Sequence, residues 1–256
     1  MLPLTLAVLL LVGCAGPAAR STPTLVPTPL PECHQSGTTK MDKVLFPGSG
    51  ENHTIEVYLP PCYAEYPGAA YPVLYWTNGG HWQSLFDTSD RLIGLGQVPA
   101  FIQVLVDIDP NKGYGADAQI VETVVPYIDA HYRTQPDRLH RSITGISHGA
   151  AIAVRSAFRA PDIFGRVAVL SGGIANGEQE KFTNWIQAMP TGQRPEVLID
   201  VGDQDGVGVL THYLMDLLDQ LRYPYTFTHA PGGHTGDYFE NHLAEHLKWL
   251  MEIQKK

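Results

Sequence analysis

From Lys43 onward, short apolar runs alternate with stretches whose apolar residues recur at helical spacing. Lys43-Val44-Leu45-Phe46 and Thr54 to Leu59 predict an opening antiparallel strand pair. The second strand alternates Ile55, Val57 and Leu59 against polar neighbours and ends at Pro60-Pro61-Cys62-Tyr63. Pro72 to Thr77, Phe101 to Asp107, Arg141 to Ile146, Val167 to Leu170, Val197 to Val201 and Tyr225 to His229 are near-continuous apolar runs, which suits strands buried on both faces. Between them lie helical stripes. Ile120, Val121, Val124, Val125 and Ile128 form one, with Pro126 expected to kink it. Ala150 to Ala160 is Ala-rich and stops at Pro161. Leu210, Leu214, Leu217, Leu218 and Leu221 form another stripe, and Phe239, Leu243, Leu247 and Leu250 form the last. Strand alternating with helix predicts an α/β fold: a mostly parallel, doubly wound sheet with helices on both faces and an antiparallel N-terminal strand pair. No internal repeat is present.

Ahead of this region the pattern changes. Met1 to Val12 is an apolar run too short to span a bilayer, and Leu11-Val12-Gly13-Cys14 resembles the bacterial lipobox, in which cleavage precedes a cysteine that is then lipidated. No Lys or Arg precedes the run, so the usual positive flank is missing. Residues 1–13 are read as a signal peptide of lipoprotein type, with ordinary secretory cleavage and a retained N-terminus as alternatives. Residues 14–32, rich in Pro and Thr, have too little apolar surface to offset their ordering entropy and read as a tether. Residues 33–256 have the length of one α/β domain. If Cys14 carries lipid, Cys33 and Cys62 remain as an even pair that an oxidising compartment would join; two free thiols are the alternative. The net charge of −9 and the absence of a basic run exclude a nucleic-acid partner and leave the lipid anchor as the membrane contact.

The chemistry concentrates at Gly145-Ile146-Ser147-His148-Gly149, which lies between a predicted strand and a predicted helix. A serine on such a turn is held in strained geometry with its hydroxyl raised above the sheet, and flanking glycines allow close strand–helix contact. A nucleophilic serine needs a base, and the base needs a partner that fixes its tautomer. After the run Val197 to Val201 come Asp203 and Asp205. Asp205 is preferred because the loop needs a few residues to turn over the sheet edge, and Asp203 remains the alternative. After Tyr225 to Ala230 comes Pro231-Gly232-Gly233-His234, which makes His234 the candidate base ahead of His229 inside the strand. His212, His242 and His246 fall on helices. The amide of His148 and one from Gly79 or Gly80, in Asn78-Gly79-Gly80-His81-Trp82, are candidate oxyanion donors. His81, Trp82 and Trp185 are candidates for the substrate-binding wall.

Thr54 to Pro61, Tyr71 to Tyr75, Val124 to Arg133, the Ser147 motif and Pro161-Asp162-Ile163-Phe164-Gly165 together resemble the esterase D, feruloyl esterase and enterochelin esterase-like branch of the α/β-hydrolases. The resemblance implies a serine carboxylic-ester hydrolase that works through a Ser-Asp-His triad without cofactor or metal, on a small-molecule or carbohydrate-linked ester. Its Gly-x-x-Asp motif supports Asp205. Two positions depart from the family pattern: Asn78 stands where His is usual, and His148 where Met is frequent. Some relatives are acyltransferases and others have lost activity, so an acyltransferase and a non-catalytic surface lipoprotein are the alternatives.

Two other readings fit less well. His242-Leu243-Ala244-Glu245-His246 matches the H-x-x-E-H zinc motif, but only ten residues follow it, which leaves no downstream third ligand. An oligopeptidase of this fold would carry an extra filtering domain that this length does not hold. The segment from Ser171 to Pro195, with Phe182 and Trp185, is short for a lid, so an open site is expected.

Overall fold

The computed structural model describes residues 33–47, 50–77, 82–107 and 115–252. Cys14 and the readings placed on residues 1–32 lie outside the described residues, as do Gly79, Gly80 and His81.

Among the described residues eight strands form one sheet: β1 (Thr38–Phe46), β2 (Glu51–Leu59), β3 (Val73–Thr77), β4 (Ile102–Val106), β5 (Arg141–Ile146), β6 (Arg166–Leu170), β7 (Glu196–Gly202) and β8 (Thr226–Ala230). Their spatial order is β1-β2-β4-β3-β5-β6-β7-β8. β1, β2 and β4 pair antiparallel, and every other pairing is parallel. The opening hairpin is longer than its apolar residues suggest. Its register runs from Thr38↔Leu59 to Phe46↔Glu51 and so takes in polar, exposed residues that carry no alternation signal. At its base a disulfide joins Cys33 to Cys62.

β3 to β7 are buried almost throughout, as largely apolar strands between two helix layers should be, and the few polar residues among them, such as Gln103, Thr144 and Asp200, are buried too. β8 departs from that expectation. It ends the sheet, bonded only to β7, and Thr226 to His229 are exposed. Threonine and histidine at these positions fit an edge strand rather than a central one.

Among the described residues seven α-helices flank the sheet: α1 (Gln83–Gly94), α2 (Ala116–Gln119), α3 (Val125–His131), α4 (His148–Arg159), α5 (Gln179–Ala188), α6 (Gly208–Gln220) and α7 (Gly236–Met251). One core packs Val73, Tyr75, Ile143, Val167 and Ile199 of the sheet against the layer from Ile120 through α6. The other packs Leu74, Trp76, Leu170 and Leu198 against α1 and α7. At Pro126, where a kink is expected, the stripe continues through a local widening of the helix. Ile120–Val124 is a wider π turn in which the amide of Val125 reaches the carbonyl of Ile120, and Pro126 follows in the first turn of α3. The widened turn keeps the proline ring off the preceding carbonyls, where a regular helix would clash. Ile120, Val124, Val125 and Ile128 stay buried through it.

Candidate active site

Ser147 lies between the last residue of β5 and the first of α4, with φ 57° and ψ −119°. That conformation is costly for any residue with a side chain, and the surroundings hold it there. The Ser147 amide donates to Leu170 O at 2.9 Å, which fastens the turn to β6. Thr77 Oγ1, buried at the end of β3, donates to Gly149 O at 2.6 Å and ties the start of α4 to the strand. Space for this junction comes from Gly145. A Cβ there would lie 2.5 Å from the Gly149 carbonyl carbon and 2.5 Å from Thr77 Oγ1.

The turn gives α4 a useful end. His148 occupies the first helical position, where an amide has no intrahelical acceptor and the helix dipole favours negative charge. The His148 imidazole is held below its ordinary pKa, first by burial and then by the charge of Arg155 one face-length along α4. Its Nε2 is buried and has no hydrogen-bond partner among the described residues. Arg155 is occupied by a two-pronged pair with Glu178, at 2.9 and 2.6 Å.

The loops after β7 and β8 meet on the same sheet edge. Gln204 N donates to Gly232 O at 2.8 Å and Asp203 N to Ala230 O at 3.0 Å, so the two loops travel together. Both candidate acids thereby face a histidine. Asp205, its side chain fully buried, accepts His234 Nδ1 on Oδ2 at 2.9 Å and the Val207 amide on Oδ1 at 2.8 Å. Asp203 meets His229 at 2.8 Å, but those side chains are 42% and 60% exposed. Burial raises the Asp205 pKa, yet the bonds from His234 and Val207, with the Ser171 hydroxyl close by, outweigh it and hold the carboxyl below its usual range. A carboxylate kept ionised on Nδ1 leaves His234 Nε2 free to accept a proton.

Ser171 carries a contribution that the sequence does not announce. It is fully buried directly after β6, has φ 47°, and lowers the Asp205 pKa although no hydrogen bond to its hydroxyl meets full geometry. Its only sequence signal is a small residue before Gly172-Gly173 at a strand end. Trp82 caps the start of α1 on the same sheet edge. Its ring packs edge-on against Trp76, and its indole N–H reaches Glu240 Oε1 at 3.3 Å. Trp185 lies on α5, with its ring against Phe182 and the Lys181 ammonium. The two histidines of H-x-x-E-H do different things: His242 Nδ1 bonds to Tyr238 O, and buried His246 bonds to Asp200 on β7.

A strained serine opening a helix, followed in chain order by a buried aspartate and the histidine bonded to it, on a sheet of this strand order, defines a serine hydrolase of the α/β-hydrolase fold. The chain belongs to the esterase family described as "Putative esterase", which it matches over residues 49–250. This makes it a carboxylic-ester hydrolase of the serine type. Among characterised proteins, it is 27% identical over 154 residues to an endo-1,4-beta-xylanase/feruloyl esterase of Xylanibacter ruminicola. That match covers 52% of this chain but only 21% of the relative's length. Among solved structures, a ferulic acid esterase superposes with a TM-score of 0.74 at 20% identity, covering 86% of this chain and 99% of that one. The feruloyl esterase module from Clostridium thermocellum, complexed with sinapinate, gives 0.72 at 18% identity, covering 90% and 93%. An S-formylglutathione hydrolase from Staphylococcus aureus gives 0.65 at 15%, covering 85% and 98%. The last three likenesses establish the fold.

Proposed function

We propose that this esterase hydrolyses hydroxycinnamoyl or sugar esters outside the cytoplasm through an acyl-enzyme on Ser147. Ser147 Oγ attacks the ester carbonyl while His234 Nε2 takes its proton, and Asp205 holds the imidazole in the tautomer that allows this. The tetrahedral oxyanion rests on the amide of His148 and on an amide from Gly79 or Gly80. Collapse expels the alcohol, protonated by His234, and leaves the acyl group on Ser147. Water, deprotonated by His234, then releases the acid and restores the serine. The observation that carries this reading is the buried Asp205 side chain bonded at 2.9 Å to His234 Nδ1, in the loops beside the strained Ser147.

The substrate class rests on two supports. Relatives named as feruloyl esterases recur among the similar proteins, one of them complexed with sinapinate. In this chain, Trp82 is fixed by Trp76 and Glu240 at the sheet edge that bears Ser147, where a rigid aromatic face can stack on a phenyl or sugar ring. His81 and Trp185 are the other candidates for that wall. The Cys33–Cys62 disulfide favours an oxidising compartment, in keeping with a signal peptide at residues 1–13, lipidation of Cys14, a tether over 14–32 and a catalytic domain from Cys33. Among the described residues no helix is long and apolar enough to cross a membrane.

Hydrolysis of methyl ferulate, p-nitrophenyl acetate and p-nitrophenyl butyrate, alongside the Ser147→Ala variant, tests both parts. Activity that disappears in the variant supports the acyl-enzyme. A preference for methyl ferulate supports the hydroxycinnamoyl pocket. Folded protein silent on all three would overturn the proposal.

A further inference from the structure

Behind the Asp205–His234 pair lies a second, buried Asp–His pair. Asp200 sits near the end of β7 at 2% exposure, on the face covered by the apolar layer of α1 and α7. Its carboxylate is fully engaged. Oδ1 accepts Thr228 Oγ1 at 2.9 Å and Tyr238 OH at 3.1 Å, and Oδ2 meets His246 Nε2 at 3.0 Å. A buried polar cluster of this kind rarely contributes more stability than apolar residues of the same volume would, so its use is better sought in the geometry it fixes.

That geometry leads to the candidate base. Tyr238, held at its hydroxyl by Asp200, lays its ring against the loop that carries His234. A Cβ on Gly232 would lie 2.5 Å from Tyr238 Cδ2, and one on Gly202 would lie 3.3 Å from Tyr238 Cε2. Gly232 precedes His234 by two residues and Gly202 precedes Asp205 by three, so one ring abuts both catalytic loops. The next residue, Phe239, meets the His234 ring edge-on with centroids 5.7 Å apart. Thr235, directly after His234, caps α7 by accepting the Tyr238 amide on its hydroxyl at 3.4 Å. The first turn of α7 therefore touches His234 from below, and Asp200 with His246 sets where that turn lies.

We propose that Asp200, Tyr238 and His246 are positioning residues for His234, holding its ring at the angle that serves both Asp205 and Ser147. The proposal rests on the reading of Ser147, Asp205 and His234 as the triad. It accounts for the H-x-x-E-H segment without a metal: His246 anchors α7 to β7, and His242 bonds to the backbone of the same tyrosine.

Tyr238→Phe in the full chain is the test, since it keeps the ring and removes only the hydroxyl. The control is Ser142→Ala, which removes the 2.7 Å bond from Ser142 Oγ to Leu250 O at the far end of the same helix. Small misplacements of a catalytic group cost large factors in rate. Tyr238→Phe is expected to lower kcat about tenfold with KM within about twofold. The downfield Nδ1–H proton resonance of His234, assigned by its loss in His234→Ala, should shift or broaden in that variant. Ser142→Ala should leave kcat and the resonance as in the parent at a similar loss of stability. His246→Gln, whose amide can still donate to Asp200, should retain more kcat than His246→Leu. Unchanged kcat in Tyr238→Phe, or an equal loss in Ser142→Ala, would overturn the proposal while leaving the triad intact. If Ser147→Ala stays active, the triad reading fails and this one fails with it.

Discussion

Asp203 and Asp205 are separated only by Gln204, each faces a histidine, and asparagine at either position should give opposite results. The Val207 amide donates to Asp205 Oδ1 at 2.8 Å, so an oxygen is required on that side of the side chain. In Asp205→Asn the oxygen stays with Val207, and the new NH2 group points at His234 Nδ1. The ring must then accept at Nδ1 and carry its proton on Nε2, the atom that should take the proton of Ser147. The equivalent tautomer reversal in a serine protease costs about 10⁴-fold in kcat, or about 5.4 kcal/mol of transition-state stabilisation. Asp203→Asn disturbs only a pair whose side chains are 42% and 60% exposed, and exposed pairs contribute about 1 kcal/mol or less. Its kcat should stay within about threefold of the parent. The assay is steady-state ester hydrolysis on protein shown to be folded by circular dichroism. The reasoning is refuted if Asp205→Asn keeps a tenth of the parent rate, or if Asp203→Asn falls with it.

Further outcomes follow from the same geometry. Ser147→Gly should abolish turnover yet raise stability by about 1 kcal/mol in urea unfolding, because glycine accepts φ 57° without strain; a less stable variant would contradict the strained elbow. The Cys33–Cys62 bond closes a loop of sequence separation 29, so replacing both cysteines by alanine should cost about 3.6 kcal/mol through the unfolded chain. Activity per folded molecule should survive that change, since the bond lies at the base of the hairpin, on the sheet edge opposite Ser147; loss of activity at full folding would contradict that placement. Burial raises the Asp200 pKa, but His246, Thr228 and Tyr238 bring it below the ordinary 3.8. Its stabilisation is therefore complete above about pH 4 and lost as pH falls through the lower folded value. Asp200→Asn should be destabilised at pH 7, with the gap to the parent narrowing below about pH 4 in thermal unfolding; a gap that widens there would contradict the sign.

Much of the fold was legible because central strands in a two-sided core are largely apolar, as Val73–Trp76 and Val197–Ile199 are. β8 misled for the same reason in reverse: Tyr225 and Phe227 read as core, while edge position is a property of sheet order that no local window contains. Pro126 announced an interruption, but whether a helix breaks or widens depends on what packs against it, here the buried residues from Ile120 to Ile128. At the site, glycine spacing and strand–loop order brought Ser147, Asp205 and His234 forward together. Loop length and the Gly-x-x-Asp spacing favoured Asp205 over Asp203, but the burial of its side chain and the histidine each acid meets lie outside any local window. Ser171 and the Asp200–His246 bond were not legible at all. One depends on a backbone angle, and the other joins residues 46 apart that only the docking of α7 brings together.

On the proposed reading of Ser147 as the nucleophile, its backbone also restricts what could take its place. A positive φ is a genuine outlier for a β-branched residue, so at φ 57° and ψ −119° threonine is chemically competent but strongly disfavoured. Cysteine has the same branching as serine and would enter without new backbone strain. The junction that raises the hydroxyl above the sheet thus leaves one conservative exchange of nucleophile, from oxygen to sulfur, and disfavours a threonine enzyme on this scaffold.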